Sequence, residues 1–250
     1  MKRLVYILII CLFALTKPQA SFAQIGAYRN DFSLGVNGGV MLANVGFSPK
    51  VTQKLYLGYQ GGLSARYVCE KYFSMICSIC AEVNYAQMGW KENIVDLNRK
   101  PVYNEKTGQN DMYERRMNYI QLPIMAHLAF GKEYKGVNFF IELGPQFGYL
   151  LNEKTKTNFT LENANIEGRS NKTVEQYKMP VQNRFDYGIC GGLGLEFSHP
   201  SVGHFLLAGR YYFGLGNIYK STKSDYFSKS NLSGIEVKLT YLIDLKKTKY

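Results

Sequence analysis

MNYIQLPIMAHLAFG, residues Met117 to Gly131, is apolar at every second position: Ile120, Leu122, Ile124, Ala126, Leu128 and Phe130. Between them stand Tyr119, Gln121, Pro123, Met125 and His127. A period of two puts the two sets on opposite faces of a β-strand. One face is uniformly greasy, whereas the other mixes a phenol, an amide, a proline and an imidazole. Which of the two points inward decides the fold.

The same pattern recurs along the chain. Alternating stretches run over Phe32–Leu42, Leu55–Val68, Tyr72–Gly89, Met117–Phe130, Asn138–Leu151, Arg184–Phe197, Phe205–Leu215 and Gly234–Leu245. No comparable run has a 3.6-residue period, so the chain reads as all-β with eight strands. The connections alternate in length. Cys69–Lys71, Gly131–Val137 and Ser198–His204 are short; Ala43–Lys54, Trp90–Arg116, Asn152–Asn183 and Gly216–Ser233 are longer. All the long loops therefore leave one end of the sheet, as in transmembrane barrels.

Volume decides the direction of the faces. An eight-stranded barrel has an interior just wide enough for side chains to fill. The second stretch offers Leu55, Leu57, Tyr59, Leu63 and Tyr67 on its bulky face, and the fifth Phe139, Ile141, Leu143, Phe147 and Tyr149. The sixth adds Phe185, Tyr187, Ile189, Leu193 and Leu195. Eight such faces would overfill the lumen. The opposite faces carry Gly58, Gly62, Ser64 and Arg66, or Glu142, Gly144, Gln146 and Gly148, which suit a narrow interior. The bulky face is therefore expected to look outward into hydrocarbon, with closure sparing the sheet an unpaired edge.

Aromatic girdles are expected at both ends of the strands. Tyr67, Tyr72, Phe73, Phe130, Phe197 and Phe205 mark one end; Trp90, Tyr149, Phe185 and Phe213 mark the other. Pro123 cannot donate to a ladder, and a closed barrel has no edge to receive it, so a bulge or a water-bridged gap is expected there.

Composition agrees with this architecture. There are 20 Tyr, 15 Phe and 24 Gly in 250 residues, while charged residues make up only 20%. The first residues read as a secretory signal over 1–23. A basic MKR is followed by the 12-residue apolar LVYILIICLFAL (Leu4 to Leu15) and by Ser21-Phe22-Ala23. That apolar run falls short of the ~20 residues a spanning helix needs. Cleavage is expected near Ala23/Gln24, leaving residues 24–250 as one outer-membrane barrel domain. Cys11 lies within the apolar run, away from the cleavage point, so no lipid anchor is expected. The net charge is +11, of which Lys2, Arg3 and Lys17 account for three, leaving +8 spread thinly. No concentrated basic tract points to nucleic acid.

Three stretches together carry a family likeness: Tyr-x-x-Leu-Pro-Ile at Tyr119–Ile124, CGGLGLEF at Cys190–Phe197, and RYYFGLGNI at Arg210–Ile218. They resemble the PorT-type outer-membrane β-barrel family of Gram-negative bacteria, over about Phe32 to Leu245. The resemblance implies an eight-stranded barrel in the outer membrane and, for some members, assistance to a protein-secretion pathway. It brings no catalytic signature.

Motifs that could carry chemistry have blander readings. CSIC at Cys77–Cys80 resembles a redox or metal pair, but residues three apart in a strand point to opposite faces and lie ~10 Å apart. That is beyond the ~7 Å Cα limit of a disulfide, so Cys77 and Cys80, like Cys69 and Cys190, read as spectator thiols. GGLG in the sixth stretch precedes no helix and lacks a phosphate-binding Lys-Ser/Thr, so it reads as packing glycine. SHPSVGH (Ser198 to His204) has the residue types of a lipid-modifying Ser–His–carboxylate site, yet it lies in a short turn on the periplasmic side. Lipopolysaccharide lies in the other leaflet.

Eight charges are expected on inward faces: Arg66, Glu82, Glu142, Asp186, Glu196, Arg210, Glu236 and Lys238. Isolated charges in a narrow lumen would be costly, so they should pair into a polar plug, with Arg210 reaching one of Glu142, Glu196 or Glu236.

The expectation is an all-β, eight-stranded antiparallel up-and-down transmembrane barrel with no catalytic, cofactor-binding or metal site. It would act as a non-enzymatic binding, assembly or structural component. A lipid-modifying enzyme and a narrow passive pore are the rival readings. Expected partners are outer-membrane lipid, lipopolysaccharide and an envelope or secretion-system protein.

Overall fold

Closure into a ring is written in the hydrogen-bond ladders. The computed structural model describes residues 26–106, 108–164 and 166–248. The expected signal segment, its cleavage point and Cys11 lie outside the described residues. The barrel strands are β1 (Ala27–Ser48), β2 (Tyr56–Tyr72), β3 (Met75–Glu92), β4 (Tyr113–Phe130), β5 (Gly136–Thr157), β6 (Phe185–His199), β7 (Gly203–Asn217) and β8 (Lys229–Lys246). Each pairs antiparallel with its sequence neighbours, and β8 returns to β1 through seventeen partners from Phe32–Lys246 to Ser48–Lys229. The result is a closed eight-stranded up-and-down barrel.

Among the described residues, three short strands lie outside the ring. Gln53–Lys54 pairs with the end of β3, and Tyr103–Asn104 pairs with Gln109–Asn110 as a hairpin. The tight turns cover 73–74, 131–135 and 200–202 at one end. At the other end 49–55, 93–112, 158–184 and 218–228 form the longer connections.

The faces fall as volume requires. Leu63, Leu143, Leu193 and Leu239 are among the most exposed large apolar side chains, and all point out of the ring. Gln60, Ser64, Arg66, Glu142 and Gln146 point in and are buried. On β4, Ile120, Leu122 and Ile124 are exposed, whereas Gln121, Met125 and His127 are buried. The greasy face looks outward.

Several strands run past their expected ends on the long-loop side. β1 continues from Leu42 to Ser48, β5 from Leu151 to Thr157, and β8 starts at Lys229 rather than Gly234. Outward positions in these extensions are polar or small, such as Asn44, Gly46 and Lys154. The ladder therefore continues where the apolar alternation stops.

Of two local expectations, one is narrowed to a gap in the ladder and the other is corrected. Pro123 makes no bulge, because Pro123–Gln146 and Ala126–Leu143 keep one register across it. Pairing simply lapses around it, on the β3 side between Ala81–Ile124 and Asn84–Gln121. The register shift of this strand pair lies instead between Asn118 and Tyr119. Trp90 does not join an outer girdle. It is wholly buried and points inward, into an aromatic cluster under the long loops.

The glycines of CGGLGLEF are packing glycines. A Cβ on Gly192 would stand 2.7 Å from the Arg210 Cγ, and one on Gly194 would stand 2.5 Å from the Phe140 ring. Those two side chains occupy the space the missing Cβ atoms leave.

Candidate functional site

Successive layers of side chains fill the lumen. At mid-height, Arg210 on β7 donates to Glu142 on β5 and to Glu82 on β3. The bonds are 3.0 Å to Glu142 Oε2 and 3.0 and 2.9 Å to the two Glu82 oxygens; Nε adds a further bond to Glu142 Oε1. Lys238 on β8 donates to the same Glu82 and stands 3.8 Å from Glu236, which also accepts from Gln60. Asn84 donates to Glu82 at 2.9 Å, and Asn37 donates to Asn84 and Ser64, each at 2.8 Å. Buried charges persist only when paired and hydrogen-bonded. Here every carboxylate of the layer has a cation or an amide on it.

His127 carries the network toward the short-turn end. Its ring packs on Phe140 with centroids 4.5 Å apart, and its nitrogens lie 3.7 Å from Glu142 and 3.6 Å from Glu196. Glu196 in turn accepts from Arg66 at 2.7 Å. The imidazole of the deciding stretch is thus a spacer between two carboxylates inside the barrel.

The SHPSVGH residues do come together. Ser198 Oγ lies 2.8 Å from His204 Nδ1, and His204 Nε2 lies 3.0 Å from Asp244 Oδ2. The geometry is nevertheless that of a clamp. Nδ1 also stands 2.7 Å from Glu196 Oε1, so a carboxylate flanks each ring nitrogen. The Ser198 hydroxyl is turned to the same carboxylate, donating to Glu196 Oε1 at 3.1 Å. Ser198 is also wholly buried.

The short-turn mouth is closed by the turn at 131–135. Glu133 accepts from Arg29 (3.2 Å from Nη2, with a second bond from Nε) and from Lys71 at 3.0 Å. Tyr134 donates to Asp31 at 3.3 Å, and Asp31 accepts from the backbone N–H and hydroxyl of Thr248. Burial alone would raise the Glu133 carboxyl, but the hydrogen bonds and charges of Arg29 and Lys71 outweigh it and hold it below the usual carboxylate value.

The other end carries a cap whose aromatic core continues into the lumen through Met41, Met88, Met117 and Tyr212. Phe47 packs on Phe227 at 5.0 Å and edge-on to Trp90 at 5.3 Å; Tyr219 stacks on Phe227 at 5.5 Å. From the 158–184 loop, Tyr177 packs on Tyr113 at 4.6 Å and Phe159 packs edge-on to Tyr177. Arg115 stitches that loop down. It lies over the Trp90 ring and donates to the carbonyls of Met179 at 2.6 Å and Gln176 at 3.1 Å. Arg169 donates to Asp111 at 2.7 Å and to the Tyr177 hydroxyl at 2.9 Å. Burial, reinforced by the Glu92 carboxylate, pushes the Tyr177 phenol above its usual value.

The inward charges read from sequence pair as expected in all but one case. Asp186 meets no cation among the described residues; its carboxylate accepts from the Tyr212 hydroxyl at 2.6 Å. Cys69, Cys77, Cys80 and Cys190 are free thiols, with Cys80 and Cys190 buried. Among the described residues no group of His, Cys, Asp and Glu is placed to hold a metal ion. The cap was missed from sequence. Its signal was the run of isolated apolar residues inside otherwise polar loops, Val102, Phe159, Tyr177 and Phe227.

The family model described as outer membrane protein beta-barrel domain matches residues 22–220. No curated protein matches the chain. Among solved structures, the chain is similar to the attachment invasion locus protein Ail of Yersinia pestis, solved with the heparin analogue sucrose octasulfate. Identity is 12%, coverage 87% of this chain and 99% of that one, and the TM-score 0.36. OprG from Pseudomonas aeruginosa is 11% identical, with coverage of 87% and 98% and a TM-score of 0.38. Neisserial surface protein A is 11% identical, with coverage of 84% and 96% and a TM-score of 0.36.

Proposed function

The chain belongs to the outer membrane protein beta-barrel domain family, and from that premise we propose a sealed, non-enzymatic barrel of the bacterial outer membrane whose cap binds or helps assemble another envelope component. The observation that carries this reading is the pairing of a filled lumen with ordered loops. Arg210, Glu82 and Glu142 occupy the mid-lumen, so conduction is the role least suited to it. The 158–184 loop, by contrast, is held by buried aromatics and by Arg115, an arrangement that presents a defined surface.

With the expected signal segment delivering the N-terminus to the periplasm, eight strands return the C-terminus there. The cap then faces outward from the cell. The double carboxylate clamp on His204 supports a structural role for the Ser198–His204 turn over a hydrolytic one. Assignment to the PorT type, and with it an accessory role in protein secretion, rests on the Tyr119–Ile124, Cys190–Phe197 and Arg210–Ile218 stretches.

The test is site-specific photo-cross-linking in cells at Leu97, Tyr103 and Tyr226, apolar side chains exposed on the loops. Adducts with an envelope protein at these positions, absent from a probe at wall position Leu239, are expected. Adducts at Leu239 with none at the three loop positions would contradict the proposal.

A further inference from the structure

The outer wall changes character abruptly above the apolar band on the β3–β4–β5 side. On β4, Ile120 and Leu122 face out, and two and three positions of the same face above them stand Arg116 and Glu114. Ladder register places Lys54 opposite Lys91, Lys91 opposite Glu114, and Glu114 opposite Lys156. One step lower, Arg116 stands opposite Lys154. Cross-strand partners lie ~5 Å apart and successive same-face positions ~7 Å apart, so this is one compact patch.

Its charge is lopsided. Five cations surround a single carboxylate, Glu114, which stands 3.9 Å from Lys91. Lys54–Lys91 and Arg116–Lys154 are like charges directly opposite each other, an arrangement that destabilises a sheet unless an anion lies between them. All five side chains are exposed or half-buried, outside the lumen network that neutralises the inward charges. Below the cations runs a row of amides, Gln87, Asn118 and Asn152, with Asn118 donating to Asn152 at 2.6 Å. Below the amides the wall turns apolar through Tyr85, Ile120 and Tyr149. Cations, then amides, then hydrocarbon-facing side chains repeat the order of a phosphorylated lipid from headgroup to chain.

We propose that this patch is a binding site for a phosphorylated lipid of the outer leaflet, with phosphates seated among Lys91, Arg116, Lys154 and Lys156 and acyl chains lying on the wall beneath. Arg116 supplies a planar fork suited to phosphate and the lysines supply point charges. The site rests on the outward sidedness of the cap but not on any loop partner.

The test uses purified full-length barrel in zwitterionic detergent, where sidedness and loop partners do not enter. Thermal unfolding, read by the folded and unfolded bands on a gel, is followed against diphosphoryl lipid A, dephosphorylated lipid A and inorganic phosphate. Diphosphoryl lipid A is expected to raise the midpoint. The combined variant Lys91→Gln, Arg116→Gln, Lys154→Gln and Lys156→Gln should weaken its apparent Kd at least about tenfold. The control Lys132→Gln with Lys135→Gln, at the opposite end, should not. If the fourfold variant fails to fold, Lys154→Gln with Lys156→Gln gives the same reading with a smaller loss. Equal binding by wild type and patch variants overturns the site, as does equal binding of dephosphorylated lipid A. An equal midpoint shift from inorganic phosphate alone overturns the lipid as occupant.

Discussion

Arg210 and Glu82 stand on strands four steps apart in a ring of eight, β7 and β3, so they face each other across the full diameter of the barrel. Their side chains nevertheless meet at 2.9 Å. That distance requires the lumen to be closed at this height, and the second carboxylate, Glu142, fixes the guanidinium from the side.

Arg210→Ala leaves Glu82 and Glu142 buried with one of their cations gone. Breaking one partner out of a buried pair costs about 3–5 kcal/mol. Urea unfolding in lipid vesicles should show a loss of that order. Arg210→Lys should lose less, since it keeps the charge and gives up the fork.

The outward face gives a depth-dependent prediction. Leu143→Arg places a charge on the hydrocarbon-facing wall and should cost ~2–4 kcal/mol in the same assay. Leu97→Arg, on an exposed loop, should change stability by less than about 0.5 kcal/mol.

The cap should loosen without the wall. Phe227 is wholly buried against Phe47 and Tyr219, and Phe→Ala in a packed core costs about 3–5 kcal/mol. Phe227→Ala should therefore speed tryptic cleavage within the 158–184 and 218–228 loops. The heat-shift band of the intact barrel should persist.

The short-turn mouth should respond to acid. Glu133 sits below its usual carboxylate value because Arg29 and Lys71 favour its ionised form. A group lowered by folding contributes stability that is present above its unfolded value and is lost as pH falls through its folded one. The difference in stability between wild type and Glu133→Gln should thus be present at neutral pH and shrink as pH falls below 4.5. Thermal midpoints of the two proteins across pH 3–7 measure it.

What the sequence disclosed follows from how each residue is used. Ile120 to Phe130 alternate because one face meets hydrocarbon, and an outward greasy face is forced by volume. That logic ends where the bilayer ends. Asn44, Gly46 and Lys154 keep the ladder without the alternation, so strand ends on that side were not legible. Trp90 shares the parity of inward Glu82 along its strand, so the period of two already places it inside; what the sequence hid was the cap above it, built with Phe47 and Arg115, which are distant in sequence. Pro123 signalled a missing donor, but whether the ladder bulges or merely lapses depends on the register held by Gln146 and Leu143. Asp186 showed its charge but not its partner, the Tyr212 phenol. The basic patch was illegible for a related reason. Its cations lie on four separate segments, and only cross-strand register brings them together.

Sidedness is the most direct test of a barrel whose cap faces out of the cell. Gly108 lies in the 93–112 loop at positive φ with open space around it, so an epitope inserted after it should not disturb the cap. A second epitope at Pro200 occupies the tight turn between β6 and β7. Antibody should bind the Gly108 epitope on intact cells and the Pro200 epitope only after permeabilisation. A Pro200 epitope detected on intact cells, with Gly108 silent, would contradict it.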